Sequence, residues 1–253
     1  MSIKLELLIF ADLLLNMENL CDIPAEKLPF ELFGLCLQEP MAMVTNLLIA
    51  ITCFIIYSKM KIVETNFQKN WKYFYLFFGL STFFSGFGHM FFNYTGVYGK
   101  FPTWTLGLVS AFYAGKAMIS LNVISPKLYK GMIRFLYVKF IVFTILALSL
   151  QSFIFVMADA VITYLFFCMG FGIYYWRKGL RSFKYTVYAV LILIPSIFIF
   201  TLQLNPHLWF NKEDLSHVLM TTTIIFFYFG VIRLNQIDLD HLISTREVKY
   251  VNK

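Results

Sequence analysis

The chain has 253 residues, of which 59% are hydrophobic and only 14% carry a charged side chain. A soluble domain has about 25% charged residues, so this composition excludes an ordinary water-soluble domain and predicts an integral membrane protein. The formal net charge of +7 does not indicate a nucleic-acid partner, because the basic residues are concentrated in alternate loops between the apolar segments, as in membrane proteins.

The N-terminal stretch is predicted to lie on the outer surface of the membrane. Residues 3–15, IKLELLIFADLLL, carry Glu6 and Asp12 among apolar residues, and no small-residue cleavage site of a signal peptide follows them. We therefore expect a short amphipathic helix within an extracytoplasmic segment of residues 1–33.

Seven apolar runs follow, each close to the roughly 20 residues that a spanning helix needs. The fourth and fifth are parted only by residues 150–152, and merging them would leave six spans. A single helix of more than forty residues is too long to cross once, so we predict seven. The predicted spans are 35–57, 73–92, 103–124, 133–150, 155–176, 183–204 and 215–234.

The basic residues alternate sharply between the two sides of the predicted bundle. Fifteen Lys and Arg residues fall in the loops after spans 1, 3 and 5 and in the C-terminal tail, whereas four fall on the other side. The positive-inside rule then places the N-terminus outside and the C-terminus in the cytoplasm. The predicted fold is an all-α, seven-helix membrane bundle over residues 34–235, with a cytoplasmic tail of residues 236–253. Which membrane holds it is not specified; in a bacterium it would be the plasma (inner) membrane.

The four cysteines have no metal-ligand spacing. Cys53 and Cys168 lie inside predicted spans, where small apolar packing is the expected role. Cys21 and Cys36 both lie on the outer side, and the sequence leaves open whether they pair.

Ionisable residues inside the spans are few, and each costs roughly 2.5–3.5 kcal/mol at a helix centre. The candidates for a functional role are Glu39, His89, Lys116, Asp159 and His217. All except Lys116 are predicted at a similar depth near the outer face, where residues at helix ends can also be simply solvated. His89 lies in the apolar stretch FFSGFGHMFF and needs a hydrogen-bond partner or a metal; an interhelical hydrogen bond is the structural alternative.

Two pairs spaced by four residues lie on single helical faces. Ser85 precedes His89 by one turn, and Glu213 precedes His217 by one turn. Carboxylate and imidazole are both zinc ligands, and catalytic zinc sites commonly use three protein ligands and water. His89, His217 and Glu213 would make such a set, although acidic residues at helix starts are also common for dipole reasons.

Three short motifs resemble the alkaline ceramidase branch of the CREST superfamily of seven-helix membrane proteins. SGFGHM resembles the S-x-x-x-H-M motif of the second helix and supplies Ser85 and His89. EDLSHVLMT resembles the H-x-x-x-H-I-L-T motif of the seventh helix and supplies His217. EPMAMVTNLL resembles the segment that opens the first span and supplies Glu39 and Asn46.

The resemblance implies a zinc-dependent membrane amidohydrolase acting on a ceramide-like lipid amide. It implies zinc held by one histidine of the second helix and two histidines of the seventh, with Ser85 positioning water or stabilising an oxyanion. In this chain the ligands would be His89, His217 and Glu213, with Glu39 and Asn46 in support. Asp159 of the fifth span could supply a further carboxylate, which none of the motifs specifies. The expected partners are the bilayer and a lipid substrate.

This sequence departs from the family pattern at three places. Glu213 stands where the family has a histidine, and the segment around Lys100 lacks the family's acidic residue. The spacing of Asp22, Glu26 and Glu31 does not match the family's calcium loop, so calcium is not expected. A non-enzymatic, receptor-like or scaffold relative is therefore the alternative function. A bis-histidine haem protein is a third class, for which only the second helix shows suitable glycines.

Overall fold

The computed structural model of the chain describes residues 29–60, 65–121, 125–207 and 209–234. The described part contains seven long helices. They are α1 Pro40–Lys59, α2 Asn66–Met90, α3 Phe101–Ile119, α4 Pro126–Ser149, α5 Ile154–Arg177, α6 Phe183–Thr201 and α7 Lys212–Ile232.

Five of these helices, α1, α4, α5, α6 and α7, are long and apolar enough to cross a membrane. This confirms a helical protein of membrane character. Helices α2 and α3 are not among these five. That all seven helices cross the membrane, and that the N-terminus lies outside, therefore stay predictions. The predicted C-terminal tail, residues 236–253, lies outside the described residues, as do residues 1–28 of the predicted N-terminal segment 1–33.

The helix starts follow from the local sequence. Pro40 and Pro126 occupy the first turns of α1 and α4, where a missing N–H costs nothing. The Thr65 hydroxyl accepts a hydrogen bond from Gln68 N at 3.2 Å and caps α2. The Asn211 side chain accepts from Glu213 N at 2.7 Å and caps α7. Each cap satisfies backbone groups that a helix end would otherwise leave unpaired.

The boundary between the predicted fourth and fifth spans is a true break. Helix α4 ends at Ser149 and α5 begins at Ile154. Gln151 between them has a positive φ of 48°, a left-handed conformation that a helix cannot contain. Helix α5 also carries a π-helical stretch, Thr163–Gly170. Helix α6 is divided at Ile194 by the following Pro195, which cannot donate the helical hydrogen bond.

The predicted start of the first span at residue 35 is wrong. Residues Leu35–Gln38 form strand β2, which pairs antiparallel with β1, Pro29–Leu32. Phe33 and Gly34 join the strands with φ values of 54° and 74°, the pair of positive values that a type I′ hairpin turn requires. Helix α1 therefore begins only at Pro40, and the otherwise all-α fold carries this one hairpin within its described residues.

Contacts between helices define two ends of the bundle. At one end the Phe67 and Phe183 rings lie 5.6 Å apart, and the Tyr175 hydroxyl donates to Met118 O at 2.6 Å. These are the ends of α2, α3, α5 and α6 next to the basic connecting segments, and we call this the basic end. At the opposite end, Thr45 of α1 bonds to Asp214 of α7. We call this the acidic end.

Candidate functional site

Glu39, His89 and Glu213 converge at the acidic end. Glu39 immediately precedes α1, His89 lies in the last turn of α2, and Glu213 lies in the first turn of α7. Glu39 Oε2 is 2.6 Å from His89 Nδ1, and Glu213 Oε2 is 3.6 Å from the same nitrogen. One ligand atom from each residue lies within 4.8 Å of the others. We call these three residues the triad.

The triad is mostly shielded from solvent. The side chains of Glu39 and His89 are 5% and 11% exposed, whereas that of Glu213 is 25% exposed. Glu213 is therefore the member through which the site reaches the exterior.

The backbone at Glu39 is strained. Its φ of 51° and ψ of 59° are left-handed, and the residue before a proline is normally extended. Such conformations cost of order 1–3 kcal/mol and persist where the surroundings enforce them, often at functional sites. Here the strain turns the chain from β2 into α1 and directs the Glu39 carboxylate onto His89.

The hairpin is fastened to the segment that follows His89. Cys36 N donates to the Tyr94 hydroxyl at 2.9 Å, and Asn93 Nδ2 donates to Cys36 O at 3.3 Å. The Gln38 amide donates to Asn93 Oδ1. Cys36 is also disulfide-bonded, whereas Cys53 and Cys168 are free and buried; Cys21 lies outside the described residues. These contacts fix the chain on both sides of the Glu39–His89 pair.

Two glycines allow the backbone to approach closely beside His89. A Cβ at Gly86 would lie 2.7 Å from Met43 Sδ of α1. A Cβ at Gly88 would lie 2.9 Å from the carbonyl oxygen of Gly99 in the segment before α3. Neither position could carry a larger residue without a shift of its neighbour.

A second hydrogen-bond chain adjoins the triad. Thr45 Oγ lies 2.8 Å from His217 Nδ1 and 3.0 Å from Asp214 Oδ1. The other oxygen, Asp214 Oδ2, accepts from Asn211 N at 3.0 Å. We call Asp214, Thr45 and His217 the relay.

The structure thus divides the predicted ligand set. His89 and Glu213 belong to the triad, Glu39 is its third member, and His217 belongs to the relay. The ligand role of His217 stays a prediction. Ser85 lies one turn before His89 and is half-buried, and its hydroxyl makes no hydrogen bond within the described residues.

Two of the predicted supporting residues lie elsewhere. Asn46 is buried and its side-chain amide donates to Ala42 O at 2.8 Å within α1. Asp159 pairs with the buried ammonium group of Lys139, which also donates to Thr163 Oγ at 2.9 Å. This pair joins α4 to α5, and Asp159 belongs to neither the triad nor the relay.

Sequence reasoning missed Thr45 and Asp214. Asp214 was visible as a capping acid three residues before His217, at a spacing that shares a helical face. Thr45 carried no signal, because it meets His217 across 172 positions of the chain. A threonine in an apolar helix most often bonds back to its own backbone, as Thr45 also does to Met41 O at 2.9 Å.

The donor set of the triad fits a divalent metal ion. One imidazole and two carboxylates suit zinc and related transition metals. Ligand atoms that share one zinc at about 2.0–2.2 Å lie about 3–4 Å apart, so the observed spacing requires only small side-chain adjustments. Without a metal, His89 can donate its Nδ1–H to Glu39, so the same geometry also makes a satisfied interhelical hydrogen bond.

Comparison with known proteins finds one family model, described as a family of unknown function, DUF6962, which matches residues 41–236. No curated protein and no solved structure matches the chain. The family match spans α1 to α7 and so includes His89, Glu213 and the whole relay. The chain therefore belongs to the family of unknown function DUF6962.

Proposed function

We propose that this protein is a zinc-dependent membrane amidohydrolase that cleaves a ceramide-like lipid amide. The observation that carries the proposal is the triad, in which ligand atoms from Glu39, His89 and Glu213 lie within 4.8 Å of one another. The proposed reaction adds water across the amide bond and gives a fatty acid and an amine.

Charge supports a cation at the triad. Two ionised carboxylates and one imidazole carry a net negative charge even when the imidazole is protonated. Within the described residues Glu213 forms its only ion pair with His89, at 3.6 Å. Like charges brought close together disfavour each other, and a divalent cation between the carboxylates would offset that repulsion.

The surrounding side chains support hydrolysis. Bound zinc lowers the pKa of a coordinated water to about 7 and polarises a carbonyl. Ser85 supplies a hydroxyl without a described hydrogen bond, one turn from His89, which suits the stabilisation of a developing oxyanion. His217 lies one turn after Glu213 on α7 and supplies a second imidazole, which suits proton transfer.

The position of the triad supports a lipid substrate. It lies at one end of a bundle in which five helices are long and apolar enough to cross the bilayer. A lipid could keep its acyl chains among these helices while its amide reaches the partly exposed Glu213. Sequence motifs resembling those of alkaline ceramidases favour a sphingolipid-like amide.

A non-enzymatic receptor-like or scaffold function is the second candidate. The observation that favours it is the 2.6 Å contact between His89 and Glu39, which satisfies the imidazole without a metal. In that case the triad would hold α1 against α2 and would catalyse no reaction.

Metal content and amide turnover distinguish the two functions. Protein purified without chelator would be analysed for zinc and assayed for release of fatty acid from ceramide in lipid nanodiscs. We expect about one zinc per chain in the wild type and loss of both zinc and turnover in His89→Ala and Glu39→Gln. Glu31→Gln, an exposed change in the hairpin, is the matched control. Folded wild-type protein that takes up no added zinc would contradict the enzymatic proposal.

A further inference from the structure

Three basic side chains lie on the lipid-facing side of α4, near its start at the basic end. They are Lys127, Lys130 and Arg134, which are exposed and share one helical face; we call them the basic stripe. The same face continues with Val138 and Ile141, whose exposed fractions are 59% and 53%, as expected of side chains that meet lipid. The three cations therefore lie where α4 faces the bilayer, not where it packs against another helix.

Within the described residues, no carboxylate neutralises the basic stripe. Four of the five described acidic residues lie at the acidic end or in its hairpin, and the fifth, Asp159, pairs with Lys139. Lys127, Lys130 and Arg134 form no ion pair with any described residue. Like charges three or four residues apart on a helix disfavour each other, so an anion bound at this face would offset that repulsion.

An apolar groove lies between α4 and α5. Its lining side chains are all apolar, and they are Met132, Phe135, Val161, Ile162, Leu165 and Phe166. The backbones of the two helices approach closely over Ile154–Ile162 but lie farther apart over the π-helical stretch Thr163–Gly170. Because α5 runs toward the basic end, the groove widens in that direction. The Phe135 ring packs against the buried Phe167 at a centroid distance of 6.1 Å, which holds Phe135 in place as one wall.

The groove and the basic stripe meet at the same turns of α4. Met132 follows Lys130 by two residues, about 3 Å along the helix axis, and Phe135 directly follows Arg134. The stripe from Lys127 to Arg134 covers about 10 Å of the axis, close to the roughly 5–8 Å depth of a headgroup layer. A lipid whose phosphate binds at this level therefore has an apolar seat for an acyl chain directly beside it.

We propose that the basic stripe and the α4–α5 groove bind one anionic phospholipid, with its phosphate at Lys130 and Arg134 and one acyl chain in the groove. Arginine matches phosphate oxygens with a planar fork, and lysine adds a point charge. Anionic lipids belong to the cytoplasmic leaflet, where the predicted topology places the basic end. A water-soluble anion would leave the groove unused, and a zwitterionic lipid would leave the stripe uncompensated. The site lies at the opposite end of the bundle from the triad and does not depend on the proposed function.

Native mass spectrometry of the full-length protein in detergent tests the proposal by counting bound lipids. The protein is titrated with dioleoylphosphatidylglycerol, which is anionic, or with dioleoylphosphatidylcholine, which has the same chains and no net charge. We expect the wild type to retain one phosphatidylglycerol at concentrations that leave phosphatidylcholine unbound. The triple variant Lys127→Gln, Lys130→Gln and Arg134→Gln should bind phosphatidylglycerol about 10²-fold more weakly, since each basic residue near anionic lipid contributes about 5-fold.

Two further variants separate a built site from general surface charge. The matched control Lys59→Gln, Lys69→Gln and Arg181→Gln removes the same charge from exposed positions at the basic end that do not line the groove, and it should bind almost as the wild type does. Val161→Trp fills the groove without changing charge and should weaken binding of phosphatidylglycerol.

Three results would overturn the proposal. Equal retention of both lipids by the wild type, a comparison that needs no variant, would exclude recognition of the anionic headgroup. Equal losses in the two triple variants, or unchanged affinity in Val161→Trp, would show that no headgroup-and-chain site exists on α4 and α5. A lipid-free dimer that dissociates in Val161→Trp would assign the groove to a second copy of the chain instead.

Discussion

Glu39 Oε2 and His89 Nδ1 lie 2.6 Å apart, although 50 positions separate the two residues in the chain. The contact joins the start of α1 to the end of α2 and requires a left-handed backbone at Glu39. A residue held in a strained conformation, next to a proline and against a buried imidazole, is better explained by a site than by chance packing.

The first prediction concerns Glu39 as a ligand. Glu39→Gln keeps the size of the side chain but removes its charge, so a zinc ion at the triad loses one anionic ligand. Loss of an outer-shell partner of a metal site lowers metal affinity by about 10- to 100-fold. We expect loss of the Glu39 carboxylate, a direct ligand, to lower zinc affinity by at least as much. Competition with a chelator of known affinity measures the change. Unchanged affinity in a folded variant would remove Glu39 from the ligand set.

The second prediction concerns the ligand type at position 213. Glu213→His places an imidazole where the side chain lies 3.6 Å from His89. Imidazole is an equally suitable zinc ligand, so zinc should be retained or bound more tightly. Glu213→Gln, which supplies no strong ligand, should lose zinc and is the paired comparison. Equal zinc content in both variants would show that position 213 does not ligate.

The third prediction concerns backbone packing beside His89. Gly88→Ala would place a methyl group 2.9 Å from the carbonyl oxygen of Gly99, and backbone cannot move aside as a flexible side chain can. We expect a destabilisation of about 1–3 kcal/mol, as for other overpacked sites, and weaker zinc binding. Gly131→Ala in α4 meets nothing within 4 Å and should not destabilise. Denaturation in detergent compares the two variants, and equal stability would contradict the close approach.

The fourth prediction concerns the ion pair between Lys139 and Asp159. Both side chains are almost fully buried, so Lys139→Met alone leaves an uncompensated buried carboxylate. Such changes cost about 3–5 kcal/mol, whereas replacing both partners by apolar residues is often neutral. We expect the double variant Lys139→Met with Asp159→Leu to recover most of the stability lost in the single variant. Additive losses in a double-mutant cycle would mean that the two charges are not coupled.

The fifth prediction concerns orientation in the membrane. The split of basic residues, fifteen against four, places the basic end in the cytoplasm. Cysteine introduced at Arg181 should resist a membrane-impermeant label applied from outside, whereas cysteine at Asn205 should react. Both positions are exposed, so accessibility to the label reports sidedness. Strong outside labelling at position 181 would reverse the topology.

The amino-acid sequence by itself determined the class of protein and the division into helices. Runs of apolar residues indicate which segments lie in lipid rather than in water. Capping residues such as Thr65 and Asn211 bond to neighbours only a few positions away. These signals are local, so they can be read without the fold. The break at Gln151 and the separate helices α4 and α5 followed in the same way, whereas the hairpin before α1 did not. Its strand β2 is apolar and short, and periodicity alone cannot distinguish such a run from a helix start.

Only the tertiary structure decided which side chains meet. The sequence placed Glu39, His89, Asp159 and His217 at a similar depth, but depth does not specify direction around a helix axis or which helices are neighbours. Packing of α1 against α2 and α7 brought Glu39 to His89 and Thr45 to His217. Packing of α4 against α5 placed Asp159 beside Lys139 instead. A buried charge takes the nearest opposite charge or hydrogen-bond partner that the fold provides, and that partner is set by helix contacts between distant positions of the chain.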